Sequence, residues 1–448
     1  MPAKGEKKKG ERGLGPNRGT SSRSPYPNVA NTPVRGTSER ISKRMTQIAA
    51  SDLIAQQNHL DPYSFYKRLR EQGPLFHVAD YMGIGGAWIA TNYEDAIAIL
   101  KDPRLIKDRL KVSPSEEKPG LEREDLMSTF MRNMLMVDPP DHTRLRSLVS
   151  KGFTPRMIEQ LRPRIQQITD ELLDAVQDQG KMDLIRDFAF PLPVTVISEM
   201  LGMPTTDRQH FRNWMLEPLS ADGEPGQEAA MTSVVGRSLT YFKALLNEKR
   251  AHPGDDLISS LIRVEENEDA LSETELLSMI WLLFIAGHET TVNLIGNGTL
   301  ALLQHPEQLQ MLLHDPTFIG SAVEELLRYT APVSLSDERW ASEDILMHGT
   351  LIRKGELVLA SLIAVNADPQ QFHDPETLDI LRRENQHLAF GKGIHYCLGA
   401  PLARLEGQIA FGTLLRRLPN VRLACAPEQL VWNHNPMLRG LLSLPVTF

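Results

Sequence analysis

One cysteine stands where it could do chemistry. Phe390-Gly391-Lys392-Gly393-Ile394-His395-Tyr396-Cys397-Leu398-Gly399 places it in a glycine-rich loop just ahead of a helical pattern. Backbone N–H groups and the dipole at a helix start favour a thiolate there. Gly391, Gly393 and Gly399 let the backbone turn tightly and approach a flat partner. His395, two residues before the sulfur, can donate to an anionic edge of that partner. A zinc site needs three or four protein ligands. A lone thiolate suits an axial position on a macrocyclic iron better. The other cysteine, Cys425, lies in an apolar, strand-like run and reads as inert packing.

Further residues carry chemistry at helical spacing. Ala286-Gly287-His288-Glu289-Thr290-Thr291 interrupts a long apolar run. Glu289 and Thr290 put a carboxylate and a hydroxyl there, and buried polar groups are costly unless paired or functional. Gly287 costs about 1 kcal/mol in a helix interior, so it needs a reason. In Asp141-His142-Thr143-Arg144-Leu145-Arg146, the His142 and Arg146 side chains share one helix face. Two donors on one face suit a carboxylate. Glu325 and Arg328 form an i,i+3 pair, and Arg339 follows in Asp337-Glu338-Arg339-Trp340.

Together these segments resemble the cytochrome P450 superfamily, soluble bacterial type, over residues 45–448. Phe-x-x-Gly-x-His-x-Cys-x-Gly is similar to its heme-binding loop. The resemblance implies a heme-thiolate monooxygenase using heme b (iron protoporphyrin IX). By that resemblance Cys397 ligates the iron, and Phe390, Gly391, His395 and Gly399 belong to its cradle. His142, Arg146, Arg339 and His395 contact the heme propionates. Ala286 and Gly287 line an oxygen groove, with Gly287 leaving room for dioxygen. Thr290 hydrogen-bonds dioxygen and Glu289 relays protons; here the acid is Glu rather than Asp. Glu325 and Arg328 make a structural ion pair whose third partner is Arg382 or Arg383. Asn366-Ala367-Asp368-Pro369 and Phe372-His373-Asp374-Pro375 take structural roles.

No Gly-x-Gly-x-x-Gly follows a strand, so no flavin or nicotinamide fingerprint is present. Electrons are expected from a separate ferredoxin or flavodoxin. Such partners are acidic, so a local basic patch is expected from Arg144, Lys151, Lys392, Arg404, Arg416 and Arg417. The substrate is expected to be a medium-to-large apolar molecule: a polyketide, macrolide, terpenoid, steroid or fatty acid. Its pocket is assigned by resemblance to residues 105–130, 180–230, Ile285–Thr291 and Pro332–Leu335. Met127, Met131, Met134 and Met136 make an adaptable wall. Two alternatives are a peroxide-driven peroxygenase, against which the Glu289-Thr290 pair counts, and a non-catalytic heme gas sensor.

The elements that must position these residues are mostly helical. The pattern predicts a mainly α fold with a small β portion, the cytochrome P450 fold with a long central helix over the heme. Ser272 and Glu275 form a capping box that opens this helix, and its apolar character runs to about Leu303. Helices are also expected at 141–151, 156–178, 188–201, 206–216, 229–250, 317–329 and from Gly399 to Arg417. Short β pieces are expected at 75–78, 87–90 and 339–365.

Composition bounds the rest. The chain has 448 residues, 49 Lys+Arg and 57 Asp+Glu, for a net charge of −8. Residues 1–44 hold eleven basic and three acidic residues, a balance of +8, leaving −16 for the remainder. That leader, rich in Gly and Pro, is expected to be disordered. The acidic body excludes nucleic-acid binding. Two cysteines exclude a disulfide framework, and no apolar run reads as a signal or a bilayer span. A cytoplasmic monomer without membrane insertion is expected, with residues 45–448 as one domain.

Overall fold

A computed structural model describes residues 47–112, 133–207, 214, 227–265 and 271–448. The basic leader and most of the 105–130 and 206–226 segments, with Met127 and Met131, lie outside them.

The organising element is a 32-residue helix, Glu273–Gln304. Its start is the expected capping box: Ser272 Oγ accepts from Glu275 N at 3.2 Å, and Glu275 Oε2 accepts from Ser272 N at 2.8 Å. In chain order, the helices used below are α1 (Pro62–Gln72), α2 (Tyr93–Lys101), α3 (Asp141–Ser150), α4 (Arg162–Asp174), α5 (Pro191–Met200), α6 (Gln227–Ala251), α7 (Glu273–Gln304), α8 (Ile319–Thr330) and α9 (Ala400–Arg417). Helix α7 packs against α5, α6, α8 and α9. It is long and apolar enough to cross a membrane, yet most of its apolar window is buried inside the protein. A side chain at Gly298 would meet the Phe411 ring at 2.5 Å, so this glycine lets α9 approach α7 closely.

The β portion flanks the helices. A six-stranded sheet has the order β1 (Gln47–Ile48), β2 (Leu75–Val78), β3 (Ala87–Ala90), β9 (Leu357–Ala360), β6 (Arg339–Ala341), β4 (Leu105–Ile106). β3 and β9 pair in parallel, joining residues far apart in the chain. The strands β7 (Ile345–Met347) and β8 (Thr350–Ile352) form a hairpin, and β5 (Lys181–Asp183) joins β10 (Arg422–Leu423) and β11 (Pro445–Thr447). Among the described residues four buried clusters result: the largest lies between α3–α9, two involve the six-stranded sheet, and one gathers Tyr93 and Leu100 of α2 with Phe372 and Leu388.

Three expectations change. The 156–178 helix is two helices, Pro155–Gln160 and α4, with the break at Leu161 ahead of Pro163. A turn of π-helix, Ile185–Ala189, precedes α5. The stretch beginning at residue 105, read as irregular, opens with the strand β4.

Candidate functional site

The Cys397 loop is fixed from three sides. Cys397 N donates to Phe390 O at 3.0 Å and Gly391 N to Leu388 O at 2.9 Å, closing the loop on itself. Leu388 N donates to Asn366 Oδ1 at 2.8 Å, which ties the loop to the segment after β9. From α3, Arg146 Nη2 donates to Tyr396 O at 2.6 Å. Gly399 caps α9 directly after the cysteine. Arg404 on α9 lies 4.5 Å over the Phe390 ring and pairs with Glu324.

The thiol is half-buried. Burial pushes Cys397 above its ordinary range, while the Gly399 and Ala400 N–H groups, Arg146 and Arg404 favour the thiolate. The helix start therefore does not by itself ionise the sulfur, contrary to the simplest expectation. A bound metal would, because a coordinating thiol loses its proton outright.

Two of the loop glycines have a specific reason. Gly393 has φ +79°, and a side chain there would meet Leu100 O, the end of α2, at 2.7 Å. Gly391 has φ +68° with no atom within 4 Å of that position. Gly393→Ala should therefore cost more than Gly391→Ala, about 2–3 kcal/mol against about 1. Thermal unfolding of the two variants, expected to differ in that order, checks this.

Donors without partners gather beside the loop. The His142 and His395 rings lie 4.2 Å apart. His142 is buried, and neither ring nitrogen has a hydrogen-bond partner. Arg339, on β6, is buried, and its Nε and Nη2 atoms make no hydrogen bond, with the Asp337 carboxylate 4.0 Å from Nη2. Burial, then the charges of Lys107 and Arg339, push His395 down to about 3. Burial, then Arg146, also lowers His142. Buried polar atoms without partners are rare and point to a ligand. An anionic, carboxylate-bearing group fits these atoms, and the sulfur beside them fits a metal at its centre. The residues present thus fit heme, with its two propionates and one iron.

Helix α7 turns a partly open face at its middle. Ala286 is exposed, and Ile285, Glu289 and Thr290 are half-buried, although residues 283–284 before them and 291–302 after them are buried. Thr290 Oγ1 donates to Ala286 O at 3.1 Å. His288 points the other way, its Nδ1 donating to Phe284 O at 2.8 Å, and burial lowers it to about 4. The room beside Gly287 is taken by Ile197 of α5, whose side chain would lie 3.1 Å from an added Cβ. That glycine allows the close packing of α7 against α5.

The ion pair behind the loop is complete. Glu325 and Arg328 are fully buried and meet through two hydrogen bonds of 2.7 and 2.8 Å. Arg382 is the third partner, its Nε 3.1 and 3.2 Å from the Glu325 oxygens. Arg382 and Arg328 also bind the carbonyls of 366–377, so the loop-rich stretch is wired to α8.

The basic patch shrinks. Arg144 pairs with Glu275, Arg404 with Glu324, and Arg416 and Arg417 with Asp170. Lys151 and Lys392 are exposed, and so are Ile394 and Tyr396 on the loop that carries Lys392. Met134 is buried in the main core, and Ser334 of the expected pocket edge bonds Met437 O at 2.8 Å. Sequence reasoning missed two groups. Lys107 is buried beside Arg339 and paired with Asp337. Glu406, on α9, is pushed up to about 8 by burial and has no partner for either oxygen. A charged residue in an apolar helical stretch was the available signal for Glu406.

Comparison with known proteins agrees with this arrangement. The sequence model of the family described as Cytochrome P450 matches residues 237–419. The chain is 54% identical over 412 residues to Cytochrome P450 CYP107DY1 of Priestia megaterium, covering 90% of this chain and 100% of that one. It is 44% identical over 397 residues to the cytochrome P450 monooxygenase PikC of Streptomyces venezuelae, covering 88% and 92%. The solved structure of the Bacillus subtilis bacillaene polyketide synthase cytochrome P450 PksS aligns with a TM-score of 0.81 at 44% identity, covering 88% and 98%. A buried cationic cradle, a cysteine loop ahead of α9 and a long helix opened at its middle are the parts of a heme-thiolate enzyme, and this chain belongs to the cytochrome P450 family as a heme b monooxygenase of the bacterial type.

Proposed function

We propose that this chain hydroxylates or epoxidises a medium-to-large apolar secondary metabolite of the polyketide or macrolide kind. The relationship to PksS, named for a polyketide synthase, supports that substrate class. The observation that carries the site assignment is the set of unpartnered donors, His142 and Arg339, gathered at the Cys397 loop. Heme ligated by Cys397 supplies oxygen activation, the thiolate favouring O–O cleavage.

The protein's own residues do the rest. His142, Arg339 and His395 hold the two carboxylates, and Arg146 braces the loop from α3. Phe390, Gly391 and Gly399 shape the cradle behind the sulfur. Ala286 keeps the open face of α7 low. Glu289 brings protons inward and Thr290 passes them on from its hydroxyl, which Ala286 O now holds. Electrons come from a separate ferredoxin or flavodoxin that docks beside Lys392 and Lys151, with Ile394 and Tyr396 as its apolar centre. Residues 45–448 act as one catalytic domain, as a cytoplasmic monomer.

The reduced, carbon monoxide-bound protein tests the ligand assignment. The long-wavelength Soret band of thiolate ligation is expected in fresh protein, and a histidine-type band instead would overturn it. Polyketide, macrolide and fatty-acid panels, screened for a spin-state shift, then identify the substrate class. Thr290→Ala should lower product formation about 100-fold, the low end for a lost proton-transfer group. Reductant consumption should continue. Unchanged product per reducing equivalent would remove the role given to Thr290.

A further inference from the structure

Two buried cations face each other next to the carboxylate donors. β4 runs antiparallel to β6, pairing Leu105 with Ala341 and Ile106 with Trp340. One step further along that register, Lys107 lies opposite Arg339. Their side chains are 1% and 4% exposed. Like charges directly opposite in a ladder repel, and a buried charge is costly unless compensated.

The compensation inside the chain is incomplete. Lys107 Nζ pairs with Asp337 and donates to Glu338 O at 2.8 Å. Asp337 also lies 4.0 Å from Arg339 Nη2, so one carboxylate serves two cations. Burial raises Asp337, but Lys107 and Arg339 outweigh it and hold the group at about 2. Asp138 adds a more distant charge to Arg339, but its hydrogen bonds go to Lys107 N at 2.8 Å, Asp108 N at 3.2 Å and Lys111 Nζ at 3.3 Å, and none reaches the guanidinium. Two buried cations thus share one side-chain carboxylate, beside Arg339 and His142 atoms that have no hydrogen bond.

We infer that Lys107 is a positioning and charge-supplying residue of the heme-carboxylate site, acting through Asp337 and Arg339 to hold a cationic wall against the two propionates. Nothing in its sequence neighbourhood announces this, since residues 105–130 read only as an irregular segment of the substrate pocket. Asp337 sets the spacing of the two cations and subtracts one charge from the wall. The inference rests on the assignment of Arg339, His142 and His395 to the heme carboxylates.

Heme and its dimethyl ester, titrated into heme-free full-length protein, separate charge from structure. The wild type should prefer the free acid. Lys107→Met should cut that preference about 3- to 30-fold, the span of a coupling between neighbouring groups, and Lys107→Arg should restore most of it. Asp337→Asn should move it in the opposite sense. If Met at 107 does not fold, Lys107→Gln keeps a donor to Glu338 O without the charge and is read in its place. Equal weakening of heme and ester, or no change in either, would overturn the inference. Arg339→Met is measured alongside. If it abolishes the preference while Lys107→Met leaves it intact, the role of Lys107 alone fails; if neither changes it, the carboxylate assignment fails with it.

Discussion

Cys397→Ser should leave a folded protein that no longer forms product. The thiol is half-buried and its polar neighbours are the Gly399 and Ala400 N–H groups, which a serine hydroxyl can also use. Loss of one sulfur in such a setting costs little, about 0.5 kcal/mol or less. Thermal unfolding of the heme-free variant should therefore match the wild type closely. Function should not survive. A hydroxyl ionises far less readily than a thiol, and the electron push that favours O–O cleavage comes from a thiolate. A barrier raised by about 4 kcal/mol is a thousandfold in rate, so turnover should fall at least about that much. The long-wavelength carbonyl band should vanish together with activity. Retained turnover with that band absent would separate Cys397 from the reaction.

The parts of the site that were legible in the sequence are those whose residues are near one another in the chain. The Cys397 loop spans ten residues, and His142 and Arg146 are one helical turn apart. Glu289 and Thr290 were readable because polar groups stand out in an apolar helix. The Ser272–Glu275 capping box set the start of α7 to the residue. What was not legible depends on register and packing between distant segments. The parallel pairing of β3 with β9 joins Ala87 to Leu357, and no local pattern announces it. Lys107 meets Arg339 only because β4 pairs with β6. Arg382 and Arg383 are equivalent in sequence, and the turn at Asp379 decides that Arg382 reaches Glu325. Gly287 also has a packing partner, Ile197, on a helix ninety residues earlier, which no local pattern shows. The basic patch is smaller than the sequence suggests for a related reason. Arg144, Arg404, Arg416 and Arg417 are cations in sequence and halves of ion pairs in the fold.

Glu325→Ala should be the most destabilising single change among these residues. The carboxylate is fully buried and gathers Arg328, Arg382, Asn385 Nδ2 at 3.1 Å and Asp379 N at 3.0 Å. A buried pair of this kind is weak evidence of net stabilisation, because desolvation offsets attraction. Removing one partner is different. Arg328 would keep the carbonyls of Asn366, Pro375 and Thr377, but its charge would be buried without a counterion. That costs about 3–5 kcal/mol, a large part of a total stability of about 5–15. The melting temperature should drop by roughly 4–6 °C. Its neighbour Glu324 supplies the control. Glu324 pairs with Arg404 and His387 at a half-buried position, where exposed-type pairs contribute about 1 kcal/mol or less. Glu324→Ala should therefore shift the melting temperature far less, although both residues lie side by side on α8. The damage from Glu325→Ala should also reach the cysteine. Arg328 and Arg382 anchor residues 366–377, and Asn366 Oδ1 in turn holds Leu388 at the base of the Cys397 loop. Heme should dissociate faster from Glu325→Ala than from Glu324→Ala, even below the unfolding transition. Equal melting shifts and equal heme retention in the two variants would mean that this network neither stabilises the fold nor braces the loop.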